Sequence, residues 1–117
     1  MTYVLVGLGG ALGALLRYAA ALALPFPWGT LSVNVVGSFL MGLAFVALAA
    51  RGHEQAALFA MTGVLGGFTT FSAFSLDTLR LVEGGQFGVA AGYVVSSVLL
   101  SLLALAAAIW LARGLLP

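Results

Sequence analysis

The sequence predicts an all-α membrane protein of four transmembrane helices. Of its 117 residues, 63% are hydrophobic and 6% are charged, whereas soluble domains carry roughly 25% charged residues. Short polar or proline-containing segments separate four apolar runs, and each run is close to the roughly 20 residues that a helix needs to cross the hydrocarbon core. We therefore expect a single four-helix transmembrane domain over residues 1–117, embedded in a lipid bilayer, with spans at about 3–24, 31–50, 55–82 and 87–111.

The first span is expected to be a retained helix rather than a signal peptide. Met1–Tyr3 has no basic residue and Arg17 interrupts the apolar run, whereas a cleaved leader has a basic start and a shorter apolar core. Gly9 and Gly13 are four residues apart, a spacing that lets another helix approach closely. Arg17 lies about two turns from the end of the span, so it fits either the membrane interface or a water-filled vestibule.

The second span carries a stripe of polar and small residues after the proline-containing turn at 25–29. Thr30, Asn34, Ser38 and Gly42 follow one another at intervals of four, which places them along one helix face. Asn34 is the informative member, because its amide has donors and an acceptor and is costly to leave against lipid. The stripe favours a pore or ligand face, and an interhelical hydrogen bond is the alternative.

The third span contains GGFTTFSAFS, Gly66 to Ser75, which is a poor helix interior. Two adjacent glycines have high backbone entropy, and the two β-branched threonines after them crowd the preceding turn. The run from Gln55 to Gly66 reaches about half way across a ~30 Å core at ~1.5 Å per residue, so we expect a break near the midplane. Broken helices at that depth line a cavity or bind an ion; the alternative is that Gly63 and Gly67 serve only helix packing.

Aromatic and charged side chains follow the expected break. Phe68, Phe71 and Phe74 recur every three residues, so their rings project near one face if the helix resumes. Such rings usually face lipid or a core, but a ring edge carries the positive part of the quadrupole and favours an anion. Asp77 and Arg80 lie one turn apart near the end of the span and are expected to form a surface ion pair.

The fourth span carries two stripes whose members recur every four residues. Small residues predict a seam for close helix packing, and hydroxyl groups form a polar stripe beside it. The small stripe is Gly84, Gly88, Gly92 and Ser96, and the polar stripe is Tyr93, Ser97 and Ser101.

Charge and composition exclude several classes of function. A net charge of +1 makes no basic patch for nucleic acid, and the absence of cysteine removes thiol chemistry. His53 has too few neighbouring ligands for a zinc site, and no base is placed beside the serines as an enzyme would need. A dual-topology proton-coupled small-molecule exporter is the alternative to a channel, but it needs a mid-span carboxylate, and Asp77 is too near a helix end.

The basic residues give the chain no preferred orientation. Arg51 and Arg113 fall on the side of both termini, whereas Arg80 and Arg17 fall on the other side, so there is no positive-inside bias. A chain of this kind inserts both ways up, and two opposed copies recreate the inverted repeats of transporters. We therefore expect an antiparallel homodimer in which two broken helices meet on a twofold axis lying in the membrane plane.

Three sequence blocks resemble the signature blocks of the Fluc (CrcB) family of fluoride channels, in order and at the family's spacing. They are GGALGALLRY (Gly9 to Tyr18), GTLSVNVVGSFLMG (Gly29 to Gly42) and GVLGGFTTFSAFSLD (Gly63 to Asp77). The last span matches more loosely, through Tyr93, Ser97 and Ser101. Ala73 stands where many members have threonine, and Asp77 stands where glutamate is usual.

The resemblance implies a fluoride-selective ion channel of a bacterial plasma or inner membrane, not an enzyme. It implies passive, electrogenic export of cytoplasmic fluoride through the two antiparallel pores of a dual-topology homodimer. It also implies one structural sodium ion at the dimer centre, bound by the backbone carbonyls of Gly66 and Thr69 of both subunits, and places Arg17 near a vestibule. The implied pore residues are Asn34, Thr70, Phe71, Ser72, Phe74, Tyr93, Ser97 and Ser101.

Overall fold

The computed structural model describes all 117 residues, and their secondary structure is entirely helical. The third apolar segment consists of four consecutive helical pieces, and the other segments are single long helices. The helices are α1 (Thr2–Ala23), α2 (Trp28–Ala47) with a 3₁₀ turn (Ala49–Arg51), α3 (Glu54–Ala57), a π-helix (Leu58–Leu65), α4 (Gly66–Phe68), α5 (Phe71–Glu83) and α6 (Phe87–Leu115).

Four segments are long and apolar enough to cross a membrane, which confirms the prediction of an all-α chain with four long apolar helices. They are Thr2–Ala23, Trp28–Arg51, Glu54–Glu83 and Phe87–Leu115. The second begins three residues earlier than expected, with Pro27 as its N-cap. Proline is tolerated there because the N–H groups at the start of a helix have no acceptor within the helix, so the missing N–H of proline costs no hydrogen bond. The fourth continues past 111, since the exposed Arg113 can extend toward the interface.

The third helix is interrupted at Thr69 and Thr70, within the segment where the sequence predicts a break. Thr69 has φ −86° and ψ 156°, and Thr70 has φ −155° and ψ 122°, so both are extended. Gly66 remains helical, with φ −62° and ψ −38°. The backbone therefore leaves the helix at the β-branched pair rather than at the glycines.

The glycines of the third helix bring it into backbone contact with α1. A Cβ added at Gly9 would lie 2.9 Å from the Gly63 Cα, and one added at Gly67 would lie 3.1 Å from the Gly10 Cα. A Cβ at Gly13 would overlap the carbonyl of the facing helix. The close approach predicted for Gly9 and Gly13 is confirmed, and the same segment of the third helix both packs tightly and breaks.

The small-residue stripe of α6 makes no such contact within the chain. A Cβ at Gly88 or Gly92 would meet nothing within 4 Å. The helix packs against α2 through another face, where a Cβ at Gly42 would lie 2.7 Å from the Leu105 carbonyl oxygen and 2.8 Å from the Ala108 Cβ. Within one chain the small residues therefore face away from α2, and close packing through this stripe stays a prediction.

The predicted ion pair between Asp77 and Arg80 is also wrong. Asp77 is buried and accepts a hydrogen bond from the Tyr93 hydroxyl, with an O–O distance of 3.0 Å. Arg80 instead lies over the ring of Phe26, 4.4 Å from its centroid. The helix turns Asp77 toward α6, where a buried polar group needs a hydrogen-bond partner, while the exposed guanidinium covers an aromatic ring in a cation–π contact.

The contact between α1 and the third helix predicts that Gly13→Ala destabilises the fold, whereas Gly7→Ala does not. The Cβ at position 13 would overlap the Val64 carbonyl oxygen, and backbone cannot move aside as a flexible side chain does, so we expect a loss of about 1–3 kcal/mol. A Cβ at position 7 meets nothing within 4 Å, and alanine raises helix propensity by up to about 1 kcal/mol. Unfolding titrations in detergent, followed by circular dichroism, compare the two variants. Equal stability of the two would contradict the backbone contact.

Candidate functional site

A groove of about 570 Å³ runs between α2, the interrupted third helix and α6. Hydroxyl and amide groups line it together with two aromatic rings and several apolar side chains. Six of the eight pore residues named from the sequence lie along this groove: Asn34, Thr70, Phe71, Phe74, Ser97 and Ser101. Gly66 and Thr69, named for a sodium ion, line the same groove.

Asn34 holds the interrupted backbone from α2. Its Nδ2 donates to the Thr70 carbonyl oxygen at 3.0 Å, and its Oδ1 accepts from the Thr70 backbone N–H at 2.7 Å. The two hydrogen bonds satisfy both backbone groups of a residue that has left the helix, and buried backbone groups need such partners. The interhelical hydrogen bond and the groove-lining position, which were alternatives for Asn34, therefore occur together.

Two of the carbonyl groups that lose their regular helical donors at the break are those of Gly66 and Thr69. In a continuous helix the Thr70 N–H would bind the Gly66 carbonyl, but it binds Asn34 instead. The Ala73 N–H would likewise bind the Thr69 carbonyl, but it donates to Thr70 Oγ1 at 3.1 Å, which caps the start of α5. The carbonyl oxygens of Gly66 and Thr69 are therefore available to another electropositive partner.

Arg17 supplies a positive charge next to these carbonyls. Its Nε donates to the Gly67 carbonyl oxygen at 3.0 Å from a half-buried position on α1. A guanidinium carries five N–H donors, so the remaining ones are free for other partners. The sequence places Arg17 either at the membrane interface or in a vestibule, and neither position predicts a hydrogen bond to Gly67. The bond follows from the packing of α1 against the third helix.

Aromatic rings form a chain from the groove to the interior of the protein. The centroids of Phe71 and Phe74 are 5.4 Å apart with an interplanar angle of 53°, and those of Phe74 and Tyr93 are 5.5 Å apart. Phe71 is 77% exposed, while Tyr93 is 1% exposed. An apolar ring of this size, exposed beside polar groups, offers its edge or face to whatever enters the groove.

The serines of α6 differ in how their hydroxyls are satisfied. Ser97 is 6% exposed, and its Oγ has no hydrogen-bond partner. Buried hydroxyl groups in folded proteins are nearly always paired, so this oxygen is unusual. Ser97 lines the groove with Ser101 one turn further along, so its hydroxyl is a candidate donor to a species inside the groove.

The two remaining pore candidates lie outside the lining of the groove. Ser72 is exposed, and its Oγ is 3.2 Å from Thr70 Oγ1. Tyr93 is buried behind Phe74 and directs its hydroxyl to Asp77. Conversely, Ser38 lines the groove, as expected for a member of the polar stripe of α2, although it is not among the pore residues that the family resemblance implies.

Comparison with known proteins gives a consistent result. A family model described as "CrcB-like protein, Camphor Resistance (CrcB)" matches residues 4–109. A protein of Paracoccus denitrificans is 52% identical over 97% of this chain and 96% of its own length. One from Cereibacter sphaeroides is 56% identical over 93% of this chain and 92% of its own length.

A relative from Agrobacterium fabrum is 49% identical and covers 95% of both chains. All three relatives carry the name "Fluoride-specific ion channel FluC". The aligned region extends over nearly the whole length of each chain, so it covers the segments that form the broken helix and the groove. The chain therefore belongs to the CrcB family.

Proposed function

We propose that this protein is a fluoride-selective channel that lowers cytoplasmic fluoride by passive export across a bacterial cell membrane. The observation that carries the proposal is the buried Ser97 hydroxyl, which lines the groove without a hydrogen-bond partner. A small permeating anion would accept that hydrogen bond, because an unmade bond at a buried hydroxyl costs about 1–3 kcal/mol. We take the anion to be fluoride because the relatives are named fluoride-specific ion channels.

The chemistry of the groove suits an anion. Serine hydroxyls and the amide of Asn34 can donate hydrogen bonds, and no acidic side chain is among the lining residues. The edges of Phe71 and Phe74 add weakly positive hydrogens. A proton-coupled exporter would need a carboxylate in the groove, and Asp77 is bonded to Tyr93 instead, so no observation favours that alternative.

Export through such a groove needs no energy coupling. A membrane potential that is negative inside drives a monovalent anion outward with about 2.3 kcal/mol per 100 mV. The hydroxyl groups need only replace part of the hydration shell, and the ion must leave as readily as it enters. The protein's contribution is therefore a lined path rather than a reaction.

The assembly we propose is an antiparallel dual-topology homodimer of this single four-helix domain, with the break near the membrane midplane. The near-balanced distribution of the basic residues supports insertion in both orientations, with Arg51 and Arg113 on one side, Arg80 on the other and Arg17 inside its span. Phe71, at the edge of the groove, is 77% exposed in one chain. An inverted second copy would cover that edge and complete two pores of opposite direction.

A structural sodium ion fits the centre of this dimer. Gly66 and Thr69 lack the regular helical donors of their carbonyl groups because Asn34 and the Thr70 side chain take those N–H groups. Neutral carbonyl oxygens suit a hard cation, and the same pair from both subunits would supply four of them. Bound there, the ion would neutralise the partial negative charge of the exposed carbonyls, and Arg17 would remain at the vestibule beside Gly67.

The function is tested by efflux from liposomes that contain purified protein and are loaded with fluoride or with chloride. We expect electrogenic fluoride efflux without chloride efflux. Ser97→Ala should slow fluoride efflux by about tenfold, the equivalent of one neutral hydrogen bond, and should leave the protein at least as stable. The control is Ser96→Ala, because Ser96 does not line the groove.

Two outcomes would count against this function. One is an absence of fluoride flux through folded wild-type protein, or flux that requires a proton gradient. The other is fluoride efflux through Ser97→Ala at the wild-type rate, which would remove the observation on which the proposal rests.

The aromatic rings give a second prediction. Phe71→Met and Phe74→Met keep most of the apolar volume, and such swaps usually cost less than about 1.5 kcal/mol of stability. If the ring edges stabilise a partly dehydrated anion, fluoride efflux should fall by more than about tenfold while the protein remains folded. Phe87→Met, at an exposed ring outside the groove, is the control. Near-normal efflux through both variants would assign the rings to packing alone.

The antiparallel assembly predicts a dependence on loop charge. Three lysines added to the turn at 51–54 should force one orientation, because they break the balance of basic residues, and fluoride efflux from cells should fall in proportion to the loss of opposed copies. The control carries the same lysines at 51–54 and three more at 83–86, which restores the balance. Full activity in a population shown by accessibility labelling to have one orientation would rule out the antiparallel model.

A further inference from the structure

Asn34 has a second role that its position in the groove does not by itself reveal. We propose that Asn34 is a positioning residue whose side-chain amide makes two hydrogen bonds to the Thr70 backbone, an arrangement called the clamp below. The clamp holds the break open. It also fixes the orientation of the amide, so that one of its N–H groups remains for the groove. This inference rests on the proposed channel function for its effect on ions. The clamp itself consists of contacts within the chain.

The backbone of Thr70 dictates which way the amide points. The Thr70 N–H can only donate and its carbonyl can only accept, so the 2.7 Å contact requires the Asn34 oxygen and the 3.0 Å contact requires the Asn34 nitrogen. A flipped amide would place N–H against N–H and oxygen against oxygen. Both bonds would then be lost, so the donor and the acceptor of the Thr70 backbone fix the orientation of the Asn34 amide.

The clamp converts an ambivalent side chain into a donor. A free carboxamide offers two N–H groups and two acceptor lone pairs, and it could bind a cation as readily as an anion. Here the oxygen accepts from the Thr70 backbone and one N–H donates to it. The N–H that is not used by Thr70 remains beside the groove that Asn34 lines, which favours an anion there.

A second contact between α2 and the break is independent of the amide. Gly37, three residues after Asn34 on the same helix, lies so close to the break that an added Cβ would overlap the Thr69 methyl group. It would also lie 3.2 Å from a carbon of the Phe68 ring. The absence of a side chain at position 37 thus brings α2 close enough for the short side chain of Asn34 to reach both backbone groups of Thr70.

The clamp also determines which carbonyls are free. If Asn34 released the Thr70 N–H, that group could return to the Gly66 carbonyl as in a regular helix. The break would then shorten, and the candidate cation site would lose one of its oxygens. The anion path and the carbonyl pair at Gly66 and Thr69 are therefore linked through one amide.

Hydrogen exchange of the Thr70 amide tests the clamp without reference to transport. Purified wild type, Asn34→Ala and Asn34→Ser are compared with Ser38→Ala, a groove variant one turn away whose side chain makes no hydrogen bond to Thr70. Exchange at Thr70 should be faster by at least about tenfold in both Asn34 variants and unchanged in Ser38→Ala. Fluoride efflux should fall in the Asn34 variants, and the sodium concentration for half-maximal efflux should rise.

The outcomes separate the possible roles. Loss of fluoride efflux with unchanged Thr70 exchange and unchanged sodium dependence would overturn the clamp and leave Asn34 as a donor in the pore only. Accelerated exchange together with a wild-type protein that passes no fluoride would uphold the clamp and refute the channel function. If the Asn34 variants do not fold, the measurement is made on the wild-type protein alone. Exchange of the Thr70 amide at the rate of an unprotected backbone amide would then overturn the proposal.

Discussion

The structure depends on the hydrogen bonding of the backbone groups that leave the helical pattern because of the break at Thr69 and Thr70. Inside a hydrocarbon layer a released N–H or C=O has no water to bind, so it needs a partner from the protein. Asn34 binds both groups of Thr70, and Arg17 binds the carbonyl of Gly67. Without these partners from α1 and α2, a regular helix would satisfy the same groups better.

The close helix contacts follow from this requirement. Short side chains reach a neighbouring backbone only when the helices nearly touch, and glycine permits that approach. Gly13 lets α1 meet the third helix, and Gly37 lets α2 meet the break. The glycines therefore bring the hydrogen-bond donors of Arg17 and Asn34 within reach of the third helix. The extended backbone conformation occurs at the two threonines, Thr69 and Thr70.

The groove combines groups that favour an anion with few features that would bind it tightly. Its hydroxyl and amide donors are neutral, and no basic side chain lines it directly. Neutral donors can replace part of a hydration shell without trapping the ion, which conduction requires. The donor chemistry is general for small anions, and the proposal of fluoride in particular rests on the names of the relatives in the CrcB family.

The sequence by itself determined the four apolar helices, the location of the break and the face of α2 that carries Asn34, because hydrophobic length, helix propensity and periodicity are local properties. It also pointed to most of the residues that meet in the groove. It could not decide that Asp77 binds Tyr93 rather than Arg80, that Arg17 reaches Gly67, or that the α6 glycines face away from α2. Those outcomes depend on the rotation of each helix about its axis, and only the packing of helices distant in sequence sets that rotation.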